Sequence, residues 1–134
     1  MSDASSQPAL ILVVEDDAAI QRVMRRALEQ EGWLVQIAAD EDEVAALDPS
    51  PTPALVVLDM NLPGTSGETV AGNLRALYGQ RLPVLVVTAD AAALARAKSA
   101  GSYSFLFKPF EVSQLVVAVR AGLAQNSRLT RDRG

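Results

Sequence analysis

The sequence predicts an α/β fold: a five-stranded parallel sheet with helices on both faces. Three observations point to it. Short apolar runs recur along the chain, three of them lack the polar alternation of a strand with one wet face, and segments of helical periodicity separate them. Alternation of this kind implies right-handed crossovers and a doubly wound sheet.

Ala9 to Val14 (ALILVV) reads as the first strand. Ile20, Val23, Met24, Ala27 and Leu28 then repeat at the steps of one helix face, and Gly32 after Glu31 supplies the stop. Trp33 to Ala38 (WLVQIA), interrupted by Gln36, suits a more exposed second strand. A weaker helix is expected at Asp42 to Leu47, and Pro49, Pro51 and Pro53 then mark a stiff loop. The third strand, Ala54 to Leu58 (ALVVL), precedes a helix over Ser66 to Tyr78. The fourth, Leu82 to Val87 (LPVLVV), precedes an alanine-rich helix over Ala91 to Ala100. Tyr103 to Phe107 (YSFLF) makes a weaker fifth strand, and Val112, Leu115, Val116, Val119 and Leu123 mark the last helix. We expect a disordered N-terminus over residues 1–8, one domain over 9–124, and a flexible basic tail or the start of a linker over 125–134.

A chain of 134 residues that is 49% apolar can fill one core between sheet and helices. The net charge is −4, and the stretch Asn126 to Gly134 sets three arginines against Asp132, a surplus of two positive charges that leaves −6 for the rest. An acidic body argues against direct nucleic-acid binding by the domain, because phosphate backbones need a basic face. Cysteine and histidine are both absent. Those two zeros exclude disulfides, thiolate nucleophiles, histidine-ligated zinc, Ser-His-Asp catalysis and a phosphohistidine carried by this chain. The start MSDASSQP has neither the basic end nor the apolar core of a secretory signal, and no apolar run approaches the roughly 20 residues of a membrane span. We therefore expect a soluble, cytoplasmic protein with no membrane contact.

In an open parallel sheet, ligands gather outside the carboxyl ends of the strands. The first strand ends in Glu15 and Asp16, the third in Asp59, the fourth in Thr88, and the fifth in Lys108 before Pro109. Each residue alone has an ordinary explanation. An acidic pair can cap the next helix, as Asp17 is expected to do, and Asp59 can start the Asn-Leu-Pro-Gly turn. A strand-end threonine can bond locally, and a lysine before a helix can be simply solvated. Convergence of four strand ends on one edge outweighs these separate explanations. Three neighbouring carboxylates repel and raise one another's pKa unless compensated. Lys108 supplies one positive charge, and a hard divalent cation such as Mg2+ would supply the rest while leaving positions open for phosphoryl oxygens. Nucleotide binding through a P-loop fails, because no G-x-x-x-x-G-K-[ST] run is present.

ILVVEDD at 11–17, LDMNLPG at 58–64, VVTA at 86–89 and FLFKPF at 105–110, in that order, resemble the receiver domain of bacterial two-component response regulators over residues 9–124. The resemblance implies a flavodoxin-like, three-layer αβα fold with strand order 2-1-3-4-5. It implies that Asp59 is the nucleophile that takes a phosphoryl group from a sensor histidine kinase or phosphotransfer protein. Glu15, Asp16, Asp59 and the backbone carbonyl of Asn61 match the magnesium ligands. Lys108 matches the lysine that pairs with the phosphoryl group, and Thr88 the hydroxyl that moves to bond it. Ala89 is small, as access to the site requires. Phe105 falls at the aromatic that swings inward as the hydroxyl moves. Asn61 and Asp90 occupy the positions that tune phosphoryl lifetime, and because both are polar and could orient water we expect a short-lived phosphoryl group.

A signalling switch is thereby implied rather than an enzyme acting on external substrates. Its surface of fourth helix, fifth strand and fifth helix would bind an output protein or form a homodimer on phosphorylation. Two features depart from the usual pattern. The segment from Thr88 to Lys108 is short, with no glycine or acidic start to its helix, and Phe105 stands where tyrosine is commoner. Rival readings fit less well. A haloacid dehalogenase phosphatase would carry its DxD motif after the first strand, and a toprim-like nuclease or primase core would need an acid where Asn61 stands. Two alternatives remain: a pseudo-receiver that binds partners without being phosphorylated, and a receiver segment of a longer DNA-binding transcription regulator. The initial methionine and the absence of a tag favour a stand-alone protein.

Overall fold

The structure, a computed structural model, describes the backbone of residues 7–133 and the side chains of residues 7–125 other than that of Leu94. Residues 1–6 of the expected disordered N-terminus, Gly134, and the side chains of the expected basic tail from residue 126 onward lie outside the described residues. The chain alternates strand and helix: β1 (Leu10–Val14), α1 (Ala18–Gln30), β2 (Leu34–Ala38), α2 (Glu41–Ala45), β3 (Leu55–Asp59), α3 (Gly67–Tyr78), β4 (Val84–Thr88), α4 (Ala93–Ser99), β5 (Ser104–Phe107) and α5 (Val112–Arg133). All strand pairs are parallel, in the order β2-β1-β3-β4-β5. The fold class and strand order expected from the sequence are those observed.

Burial explains the order. The runs without polar alternation become the inner strands: β3 and β4 are buried at every residue and β1 at all but its first. The interrupted run and the weak run become the edges, β2 and β5, and both are only partly covered. Successive strand residues point to opposite faces. Leu12, Val14, Val56, Leu58, Val84 and Val86 therefore pack with Val44, Val70, Leu74 and Ala97 on the face covered by α2, α3 and α4. Ile11, Val13, Val57, Leu85 and Val87 pack with Met24, Leu28, Leu115 and Val119 on the face covered by α1 and α5. Each fully buried aliphatic side chain contributes about 1.5–3 kcal/mol relative to exposure, so the two apolar layers hold the sheet in the middle.

Helix starts follow their caps. Asp17, Asp40 and Ser66 each accept backbone N–H bonds at the N-termini of α1, α2 and α3, as side-chain oxygens at that position do. Gly32, at φ 89°, lets the chain leave α1 after the C-cap Glu31. Three helices differ from expectation by two residues or more at one end. α2 is shorter than Asp42 to Leu47 and shifted back, because Asp40 starts it and Glu41, Asp42 and Glu43 suit its first turn. α4 is shorter than Ala91 to Ala100, because Asp90 draws Ala92 and Ala93 into a turn through its Oδ1 and its carbonyl. The expected domain end at residue 124 falls inside α5, since no glycine or proline lies between Leu123 and Arg133 to stop it.

Close packing at one helix and polar ties at another set the positions of α5 and α4. A Cβ at Gly122 would lie 2.5 Å from Leu55 Cδ1 and from the Tyr103 ring, so α5 approaches the sheet there more closely than any side chain permits. The Tyr103 hydroxyl donates to the Ala118 carbonyl on the same helix at 2.7 Å. On the other face α4 is tied to α3 at two points. Arg96 bonds both carboxylate oxygens of Glu68, through Nε at 3.2 Å and a terminal nitrogen at 3.1 Å. Arg75 donates to the carbonyls of Ala100 and Gly101, the latter at 2.9 Å, and so satisfies the C-terminus of α4.

Candidate functional site

The carboxyl ends of β1, β3, β4 and β5 bring the predicted residues together. Glu15 follows β1 and is only 1% exposed. Its N–H donates to the Ala38 carbonyl at 3.2 Å, its Oε2 accepts the Asp17 N–H at 3.1 Å, and its carbonyl accepts Gln21 Nε2 at 2.6 Å. Asp16 beside it is exposed, and Asp17 is occupied as the cap of α1. Asp59, the last residue of β3, is 4% exposed, and its Oδ1 accepts the Asn61 N–H at 2.9 Å. The turn after β3 thus orients the carboxylate through its own backbone. One oxygen from each of Glu15, Asp16 and Asp59 lies within 4.8 Å of the others.

Lys108 enters from β5, with its N–H held by the Thr88 carbonyl at 2.8 Å. Its Nζ stands 2.8 Å from Glu15 Oε1 and 3.4 Å from Asp59 Oδ2. Burial pushes the Glu15 carboxyl pKa up, and Asp59 adds to this while Lys108 and the Asp17 N–H resist it. Burial alone would lower the Lys108 pKa, but the contacts with Glu15 and Asp59 outweigh it and leave the ammonium pKa raised. Charge balance is incomplete, because three carboxylates face one ammonium. Glu15 Oε1 is buried and accepts no aligned hydrogen bond, although the ammonium is close. A set of hard oxygen donors with surplus negative charge fits a hard divalent cation.

Thr88 closes β4 fully buried, and its hydroxyl is already engaged. It accepts the Asp90 N–H at 3.0 Å and Asn61 Nδ2 at 3.4 Å, and donates to the Asp90 carbonyl at 3.4 Å. The Asp90 carboxylate accepts the Ala92 N–H at 2.9 Å, turned to the start of α4. Phe105 is 44% exposed, pointing outward, with its ring centroid 5.6 Å from that of Phe107 at an interplanar angle of 73°. Ala89 leaves the site open on one side, where it joins Ile20, Val23, Pro109 and Phe110 around a groove of about 420 Å3 next to Lys108.

Two residues that shape this site were not singled out from the sequence. Gln21 reaches a backbone carbonyl, a contact that side-chain spacing does not encode. Phe107 could have been found by strand period, since it shares a face with Phe105.

Comparison with known proteins agrees with this geometry. The family model described as the response regulator receiver domain matches residues 11–120. A probable transcriptional regulatory protein, TcrX of Mycobacterium tuberculosis, is 35% identical over 100% of this chain and 58% of its own length. The response regulator MprA of Mycolicibacterium vanbaalenii is 39% identical over 90% of this chain and 52% of its own. The chain therefore spans only about half the length of the curated relatives it matches. Among solved structures, a CheY-like receiver domain protein from Methanospirillum hungatei superposes with a TM-score of 0.82 at 25% identity, covering 91% of this chain and 98% of that one. The receiver domain of the sensor histidine kinase PA1611 from Pseudomonas aeruginosa, with a magnesium ion coordinated in its active-site cleft, gives 0.76 at 26% identity, covering 88% and 99%. Among the described residues no helix is long and apolar enough to cross a membrane. Matched over most of its length by one family model, and built on that family's strand order, the chain belongs to the response regulator receiver domain family.

Proposed function

We propose that this chain is a phosphorylation-activated switch of a two-component phosphorelay, with Asp59 as phosphoacceptor. One observation carries the reading: Glu15, Asp16 and Asp59 present carboxylate oxygens within 4.8 Å of one another, and Lys108 Nζ stands 3.4 Å from Asp59. The donor is a phosphohistidine of a sensor histidine kinase or phosphotransfer protein, since this chain has no histidine of its own. An Asp59 oxygen attacks phosphorus, the P–N bond breaks, and its electron pair leaves with the imidazole nitrogen. Asn61 N–H holds the other carboxylate oxygen during approach. Mg2+, held by Glu15, Asp16, Asp59 and the Asn61 carbonyl, would neutralise charge on the phosphoryl oxygens. The magnesium seen in the PA1611 receiver supports that assignment. Lys108 pairs with a phosphoryl oxygen as a compact charge.

The readout follows from Thr88. To bond the phosphoryl group its hydroxyl gives up Asp90 and Asn61, and Phe105 turns inward beside it. The surface of α4, β5 and α5 then changes shape towards an output protein or a second copy of the chain. The switch assists only its own phosphorylation and dephosphorylation. Asn61 and Asp90 lie close enough to Thr88 to order water, and we assign the phosphoryl group a short lifetime; a half-life of many hours refutes this. A second reading, an input segment of a longer transcription regulator, is favoured by the name and greater length of TcrX.

Incubation with acetyl phosphate and Mg2+, followed by intact mass, tests the assignment. One labile phosphoryl group is expected on the wild type and none on Asp59→Asn. No adduct on the wild type favours a pseudo-receiver, and steady turnover of a phosphate ester favours an enzyme.

A further inference from the structure

Phe107 is an aromatic residue with a place in the switch that no role yet covers. In the β4–β5 ladder Val86 pairs with Phe105 and Thr88 pairs with Phe107. Neighbours in register across a parallel ladder point to the same face. Val86 belongs to the core on the α4 side, so both phenylalanine rings stand on that side, at the levels of Val86 and Thr88. Leu106 between them packs on the opposite face.

The rings are not covered by α4. That helix is drawn to α3 by Arg75 and Arg96, and Phe105 and Phe107 remain 44% and 42% exposed. Phe105 borders an open groove with Ala95, Ala97 and Lys98 of α4, and its ring meets that of Phe107 edge to face at 5.6 Å. When the Thr88 hydroxyl turns towards Asp59, the space it leaves opens at the level of Phe107, one step along the strand from Phe105. Phe105 reaches that space only by separating from Phe107 or moving it.

We propose that Phe107 is a positioning residue that holds Phe105 outward and so weights the switch towards its resting state. The inference rests on the receiver reading and deepens it, by naming the residue that sets the resting population. An aromatic edge-to-face contact shifts an equilibrium by about three- to tenfold when it exists in only one of two states. That factor is the cost of activation contributed by Phe107.

Fluoroberyllate, a phosphoryl mimic, is titrated with Mg2+ into the full chain and followed by fluorine NMR. Phe107→Val and Phe107→Leu should both bind it about three- to tenfold more tightly than wild type. Leucine keeps most of the side-chain volume, so it answers for a fold disturbed by valine. Phe107→Tyr, which keeps the ring, should restore wild-type affinity. In a Phe105→Ala background, Phe107→Val should add nothing, because the partner ring is gone. Equal affinity in wild type and both aliphatic variants overturns the inference alone, as does a full effect in the Phe105→Ala background. A wild type that binds no fluoroberyllate removes the receiver reading and this inference with it.

Discussion

Lys108 is the residue on which the charge balance of the site turns. Its ammonium lies among carboxylates that are nearly out of water, where effective screening is weaker than at the surface. It therefore competes with any cation for Glu15 and Asp59. Replacing it by methionine should tighten Mg2+ binding on the order of tenfold, the ratio that corresponds to ~1.4 kcal/mol. Phosphoryl uptake should slow in the same variant. Calorimetric titration with Mg2+ and the yield of acetyl phosphate adduct measure the two effects, and weaker metal binding would contradict this account. Glu15, Asp59, Thr88 and Lys108 were legible in the sequence because each interrupts an apolar run at its carboxyl end, where a polar residue must be explained. Gln21 and Phe107 were not. One acts on a main-chain carbonyl, and the other, although strand period places it on the face of Phe105, interrupts no apolar run and so carries no polar signal.

At the level of elements, the tie between α3 and α4 decides which parts can move. Arg96 holds Glu68 ionised, lowering its pKa, while the carboxylate raises that of Arg96. A carboxyl whose folded pKa lies below its unfolded value stabilises above the unfolded value and loses that contribution as pH falls through the folded one. Protection factors of α4 amides should therefore drop below about pH 4, while those of β3 and β4 hold. Glu68→Gln should abolish the pH-dependent part, and the effect should be small because the pair is partly exposed. An α4 drop that persists in Glu68→Gln would assign it to another group. The helices also mark where sequence reading stops being sharp. Period found Met24, Ala27 and Leu28 of α1 and Leu115 and Val119 of α5, which are buried, but it also included Val23 and Val112, which the structure leaves exposed at the margins of those faces. The limits of α2 and α4 depended on Asp40 and Asp90, whose side chains could equally have served a turn.

For the molecule as a whole, metal and fold should be linked. A ligand that binds only the folded state adds RT ln(1 + [L]/Kd), about 1.4 kcal/mol at tenfold excess over Kd. For a domain of this size that raises Tm by roughly 3–6 °C. Thermal melts with Mg2+ should show the rise, sodium chloride of equal ionic strength should not, and Asp16→Asn should lose it. An increase that survives in Asp16→Asn would place the ion elsewhere. A parallel sheet covered on both faces was readable from the apolar runs because such burial leaves no freedom for polar residues, whereas the strand order came from the resemblance to receiver domains. The absence of a side chain at Gly122 has a mechanical meaning of its own. The Tyr103 ring sits in that notch, and its hydroxyl is fastened to Ala118 one turn earlier on the helix. Sliding α5 along its axis, or rolling it, would drive neighbouring side chains into the ring. α5 is thus indexed to the strand that follows Tyr103, like a wheel locked on its shaft. With α5 fixed as the reference edge, the displacement of Phe105 in the proposed switch would be measured against a surface that does not yield, and any answering movement of α4 would have to carry or break its ties to α3 through Arg75 and Arg96.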